Sequence, residues 1–286
     1  MDKLIINFTP TGMLMMKENT PYIPLKADEI IEEVRRAYKI GITSVHLHAR
    51  DEINEKPCYQ KEVFKEIILG IREFAPDLVI AVTTSGRIYN EYEKRSDVLE
   101  LDGLAKPDMA SLTLSSLNFN KTTSVNTPDM IMKLLNRMNE RGIKPELEVF
   151  DVGMVNYAKY LIRKQMLTEP YYFNIILGNI ACAQATLLHS GIIVNDLPEG
   201  SVCSIGAIGN FQLNINALAI SMGYGVRVGL EDNIWYDDDR TKLAKNDELL
   251  ERIHRISKDL NREICTPSEL REKLGLKKGF GEYGTL

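Results

Sequence analysis

Residues 27–48 read ADEIIEEVRRAYKIGITSVHLH and hold a complete helix-to-strand unit. From Ala27 to Tyr38 the residues Ile30, Ile31, Val34 and Ala37 recur at helical spacing, while Glu32, Glu33, Arg35 and Arg36 fall on the other face, so this segment is predicted to be an amphipathic helix. Gly41 stops it. A strand is then predicted over Ser44–His48, and on an extended strand His46 and His48 point to one side while Leu47 points to the other. Two imidazoles therefore face one place, at the end of a strand that follows a helix.

The same unit recurs in both directions along the chain. Strands are predicted at Leu4–Phe8, Ser44–His48, Val79–Thr83, Met109–Leu112, Glu146–Phe150, Tyr172–Leu177, Val202–Ala207 and Gly225–Val228, with helical periodicity between them. Thr127-Pro128 supplies an N-cap and a first-turn proline for a helix running to Arg141, which Gly142 ends. Thr266-Pro267-Ser268-Glu269 is a capping box for a further short helix. Eight strand–helix repeats favour an α/β fold of the (β/α)8 TIM-barrel type over an open doubly wound sheet, with a short C-terminal helical extension from about residue 263. At 286 residues and 44% hydrophobic content, 1–286 is expected to be a single barrel domain, since no linker or repeat divides it.

Composition narrows the function classes. The 35 basic and 40 acidic residues give a net charge of -5, and the longest basic run is Lys277-Lys278, which argues against a nucleic-acid partner. No apolar stretch approaches the roughly 18 residues of a membrane span, and Met1-Asp2-Lys3 leads straight into a strand, so a cytoplasmic protein with no membrane partner is expected. Cys58, Cys182, Cys203 and Cys265 form no C-x-x-C pattern, which speaks against a disulfide framework or a cysteine-held zinc.

In a barrel of this type the active site is built at the carboxyl ends of the strands. The polar residues cluster there: Thr9 and Thr11 after strand one, His46, His48 and Arg50 on strand two, Thr83, Thr84, Ser85 and Arg87 on strand three, Ser111, Thr113, Ser115 and Ser116 on strand four, Glu148 and Asp151 on strand five, and Arg227, Glu231 and Asp232 on strand eight. His46, His48 and a carboxylate at Glu231 or Asp232 would leave one position open, as a catalytic zinc requires. Blander roles exist for each: Glu231 and Arg227 as a structural ion pair, the serines and threonines as loop hydrogen-bonders, Met13, Met15 and Met16 as a flexible lining or an interface.

With these residues in place the chain resembles the β-keto acid cleavage enzymes. The resemblance runs almost the whole length and is carried by residues 20–24 (TPYIP), 45–50 (VHLHAR), 106–110 (KPDMA), 117–119 (LNF), 145–149 (PELEV), 153–154 (GM) and 227–234 (RVGLEDNI). It implies a (β/α)8 barrel, a homo-oligomer (dimer or tetramer), and zinc bound by His46, His48 and Glu231. The implied reaction condenses a β-keto acid with acetyl-CoA, giving acetoacetate and a new acyl-CoA. Asp232 is implied as the general base taking a proton from the acetyl methyl group, Arg227 as its partner and enolate stabiliser, and Thr83 and Ser111 as hydrogen-bonders to the substrate carboxylate.

The chain also departs from the family pattern. Leu14 stands where aminohexanoate-cleaving members carry an amine-binding glutamate, so the substrate is expected to lack that amine. Arg87 stands where small residues are common, and either meets a negative or polar tail or faces solvent. Residues 178–182 lack the family's glycine-rich run, and Gly209-Asn210 replaces Gly-Arg, which loosens the case for acetyl-CoA. The rival readings are a zinc-dependent barrel hydrolase or lyase acting on a small carboxylate without CoA, and a non-catalytic barrel.

Overall fold

A computed structural model describes residues 1–286 and closes eight parallel strands into a barrel. The strands are β1 (Ile6–Phe8), β2 (Ser44–Leu47), β3 (Val79–Val82), β4 (Met109–Thr113), β5 (Lys144–Val149), β6 (Tyr171–Leu177), β7 (Ser201–Ala207) and β8 (Gly225–Val228). Each pairs with its neighbours in sequence, and β1 pairs with both β2 and β8 to complete the ring. The principal helices outside the ring are α1 (Ala27–Ile40), α2 (Lys61–Arg72), α3 (Tyr92–Ser96), α4 (Pro128–Arg141), α5 (Val152–Arg163), α6 (Leu187–Asn195), α7 (Gln212–Ser221) and α8 (Asn246–Asp259), with α9 (Pro267–Leu274) beyond the barrel. The (β/α)8 architecture read from the alternation is the one observed.

Local signals act where they were read. Gly41 takes a left-handed φ of 113° and returns its N–H to the Ala37 carbonyl, which ends α1. Thr127 caps α4 through the Met130 N–H, and Gly142 closes it at φ 60°. Glu33, on the face away from the apolar stripe, is nonetheless buried and ion-paired with Arg36, because α1 packs between α2 and α8. A barrel helix is covered on its flanks as well as underneath.

The barrel core joins side chains from all eight strands to those beneath the helices: Phe8, Leu47, Ile80, Leu112, Leu147, Ile175, Ile205 and Val226 are all buried in one continuous cluster. A smaller cluster lies at the amino ends of the strands, where Leu270 and Leu274 of α9, with Cys265 and Leu276, cover Ile5, Val79, Met109 and Tyr172. The C-terminal extension is therefore the floor of the barrel. It also explains why β1 is shorter than expected: Leu4 donates to Glu263 O and accepts from Cys265 N, so its backbone bonds belong to the extension. Beneath β4 the buried Asp108 carboxylate receives Arg72 at 2.8 Å and Arg271 at 2.7 Å. No helix is long and apolar enough to cross a membrane.

Candidate metal centre and cavity

At the opposite end, where the strands give way to loops, β2 runs out at Leu47 and hands His48 to a short hairpin in which Ala49-Arg50 pairs with Pro57-Cys58. His46 and His48 project inward with ring centroids 5.0 Å apart, and both are buried. Strand β8 delivers Arg227, and the turn after it delivers Glu231 and Asp232, so two consecutive carboxylates share one guanidinium and only Glu231 also reaches a histidine. Glu231 Oε1 lies 3.1 Å from His48 Nε2 and 2.8 Å from an Arg227 nitrogen. Asp232 accepts from Arg227 Nε at 2.8 Å and from the other arm of the same guanidinium at 3.1 Å. One ligand atom each from His46, His48 and Glu231 falls within 4.8 Å of the others.

Close backbone approach makes this possible. Gly12 has φ 67°, and a Cβ there would stand 2.5 Å from Glu231 Cγ, so only glycine lets the β1–α1 loop pass over the glutamate. Arg50, fully buried, fastens that loop by donating to the carbonyls of Gly12 and Met15. Gly206 on β7 does the same for Arg227, whose Cβ would be 2.9 Å from an added methyl.

A carboxylate that the sequence reading gave no role completes the arrangement. Glu146 on β5 is fully buried, and its Oε2 lies 2.6 Å from His46 Nδ1, while Oε1 accepts from Asn7 and Asn174. This contact holds Nδ1–H toward the carboxylate and turns Nε2 toward the site, the arrangement that orients metal-ligating imidazoles. The signal was the same i, i+2 alternation that revealed the histidines: Glu146 and Glu148 flank Leu147 and both face inward. Glu148 accepts from Thr113 Oγ1 at 2.6 Å.

The charges around the centre shift as their surroundings dictate. Burial alone would lower the His46 pKa, but the adjoining Glu146 carboxylate lifts it to about 9. Burial lowers the His48 pKa, and Glu231 only partly opposes it. Burial would raise Glu231, yet Arg227 and His48 hold it well below the usual carboxylate range. Asp232 goes the other way: burial raises its pKa against the pull of Arg227, and the Glu231 charge adds to the rise. Two adjacent carboxylates are thus separated into a permanent anion and a stronger base.

The donor set suits a divalent metal. Glu231 Oε2 is buried with no hydrogen-bond partner, although burying an unpaired carboxylate oxygen is costly. Two imidazoles and a carboxylate are ligands that zinc accepts.

These groups form the floor of a cavity of about 370 Å³. Of the residues given a site role from the resemblance or its departures, Leu14, His48, Thr83, Arg87, Arg227, Glu231 and Asp232 line it, and Met13, Met15, Ser85, Thr113 and Glu148 join them on the wall. Ser111 does not: its hydroxyl accepts from the Thr84 N–H at 3.0 Å and its carbonyl from the Thr84 hydroxyl at 2.6 Å, so it braces the β3 loop. A serine on β4 that satisfies a neighbouring loop is indistinguishable, in sequence, from one that meets a ligand.

Comparison with known proteins finds relatives that match nearly the whole chain. Over 280 residues the chain is 39% identical to the 3-keto-5-aminohexanoate cleavage enzyme of Fusobacterium nucleatum subsp. nucleatum, covering 97% of this chain and 100% of that protein. It is 30% identical over 276 residues to the 3-oxoadipate:acetyl-CoA acetyltransferase of Cupriavidus necator, covering 95% and 94%. The apo structure of ObcA superposes with a TM-score of 0.77 at 21% identity, covering 90% of this chain and 66% of the ObcA chain, which supports the fold alone. The family model described as beta-keto acid cleavage enzyme matches residues 3–276, and the chain belongs to that family of carbon–carbon bond-cleaving acyltransferases.

Proposed function

We propose that the protein is a zinc-dependent β-keto acid cleavage enzyme that condenses a β-keto acid with acetyl-CoA to give acetoacetate and a new acyl-CoA. The observation that carries this reading is the arrangement of Glu231 and Asp232 about Arg227 on the floor of one cavity: both carboxylates meet the guanidinium, and Glu231 alone also meets His48. His46, His48 and Glu231 would hold the metal, which when bound supplies a Lewis acid for the keto and carboxylate oxygens.

Atom balance places the proton that Asp232 removes. Acetoacetate must take its CH3–CO unit from acetyl-CoA and its CH2–COO⁻ unit from the keto acid, so the new bond joins C2 of the acid to the acetyl carbonyl. The base therefore acts on C2 of the keto acid, and not on the acetyl methyl group as the sequence reading had it. Asp232, with its raised pKa, takes that proton. The C2 carbanion displaces the CoA thiolate from the acetyl group, the thiolate attacks the original keto carbon, and the C2–C3 bond breaks to release the acyl-CoA. The acetoacetate enolate recovers the proton from Asp232. Arg227, buried and bidentate to Asp232, orients the base and offsets the enolate charge. Thr83 on the cavity wall is assigned to the substrate carboxylate.

Leu14 lines the cavity without a charge, which supports a substrate other than the amine-bearing 3-keto-5-aminohexanoate. Exposed Leu187, Leu188 and Ile192 on α6 support the homo-oligomer. The test is an assay of metal-quantified protein against β-keto acids with neutral, acidic and amine-bearing tails, with and without acetyl-CoA. Metal-dependent acetoacetate formed only with acetyl-CoA is expected. Acetoacetate-free turnover without CoA would overturn the reading in favour of a hydrolase or lyase.

A further inference from the structure

We propose that Arg87 is a specificity-determining residue that selects β-keto acids carrying a second carboxylate at the far end of the tail. The inference rests on the β-keto acid reading and adds the chemical class of the substrate. Its basis is the state of the guanidinium. Arg87 Nε donates to Thr122 Oγ1 at 3.0 Å, and the guanidinium carbon lies 3.7 Å from the centre of the Phe119 ring. Phe119 packs edge-to-face on Phe150 with centroids 6.0 Å apart, and its N–H bonds Thr122 O at 2.7 Å. The hairpin at 117–124 thus fixes the arginine from two sides.

The two terminal nitrogens of Arg87 have no hydrogen-bond partner, and no carboxylate lies within ion-pair distance. The acidic residues of the same cavity are all engaged elsewhere: Glu148 by Thr113, Glu231 by His48 and Arg227, Asp232 by Arg227. Arg227 is neutralised, so Arg87 is the one arginine of the cavity without a counter-charge. A half-buried guanidinium held by one hydrogen bond and one ring face, with both terminal arms free, recovers only part of its desolvation cost until an anion meets those arms. Its planar fork matches a carboxylate bidentately. An ammonium-tailed substrate meets the opposite situation, with like charge at Arg87 and no carboxylate at Leu14.

The shared chemistry is an oxyanion, which the keto acid tail or a CoA phosphate could supply, and the test separates them. Metal-loaded wild type, Arg87→Gln and Arg87→Lys are assayed with six-carbon β-keto acids ending in a carboxylate or in a methyl group, and binding of each acid without acetyl-CoA is followed by calorimetry. Thermal melts verify that the variants are folded. The expected result is a wild-type preference for the acidic tail that falls about 10- to 100-fold in Arg87→Gln, both in kcat/KM and in binding, with Arg87→Lys intermediate. The KM for acetyl-CoA is expected to move less than about twofold, because its phosphates are not the partner. Equal handling of both tails by the wild type overturns the proposal. A KM for acetyl-CoA that rises in Arg87→Gln with either acid, while the tail preference stays, assigns the arginine to CoA and also overturns it. Absence of acetoacetate from every acid would sink the reaction reading alone, since the binding isotherms still report on Arg87.

Discussion

The two ends of the barrel handle buried charge in opposite ways. At the amino ends of the strands the Asp108 carboxylate accepts from Arg72, from two nitrogens of Arg271, and from the backbone N–H groups of Ile80 and Gly284, so every lone pair has a donor. At the carboxyl ends, Thr11 Oγ1, Arg227 Nη1 and Glu231 Oε2 are buried without partners, and deeper in the interior so is Asn174 Oδ1; at the floor the one such atom is Arg72 Nε. Closing a polar network stabilises a fold, and leaving one open prepares it to receive something. The same chain does the first with residues outside the proposed site and the second at Arg227 and Glu231, to which the proposed reaction gives a role.

That contrast is open to attack from both sides. Asp108→Ala leaves two buried guanidinium groups unpaired and is expected to cost about 3–5 kcal/mol of stability, read from urea denaturation, without changing the metal bound per folded molecule. Acid sharpens this. Burial would raise the Asp108 pKa, but Arg72 and Arg271 hold it below the usual aspartate range. A depressed carboxylate stabilises the fold above its unfolded pKa and loses that contribution as pH falls through the folded one. The gap between wild type and Asp108→Ala should therefore narrow on acidification below about pH 4; a gap independent of pH would mean that the floor is held by α9 packing and not by charge.

At the upper end, Asp232→Asn is expected to retain metal and substrate binding and to lose turnover by about 10²- to 10⁴-fold, measured as kcat on metal-quantified protein. Full rate would remove Asp232 from the role of base. Glu146→Gln is the subtlest probe, because it keeps the shape of the contact with His46 Nδ1 and removes the charge. Metal affinity, followed by competition with a chelator, is expected to fall about 10- to 100-fold with little loss of stability. If stability fell and metal affinity held, Glu146 would belong with Asp108 on the structural side of the comparison.

The sequence disclosed what is periodic and local. Gly41, Thr127, Gly142 and the capping box at Thr266 announce element ends, and eight recurrences of the helix–strand unit announce the barrel. His46, His48, Glu231 and Asp232 were legible because each lies at a strand end where barrel geometry concentrates chemistry. Pairings across the barrel were not legible. Glu146 meets His46 from 100 residues away, and Asp108 meets Arg271 from 163 residues away, so neither contact leaves a local trace. Ser111 shows the complementary difficulty, since its inward position on β4 is local but its use by Thr84 depends on the loop above β3.

The seal at Asp108 also has a direction in time. A chain made from its N-terminus contains Asp108 and Arg72 long before Arg271, and the residues that floor the barrel follow all eight strands. A nascent chain with its strands complete would hold an aspartate with half its cations and a ring open to water beneath. The extension, made after all eight strands, is thus a late-arriving latch that locks the scaffold on which the opposite end depends.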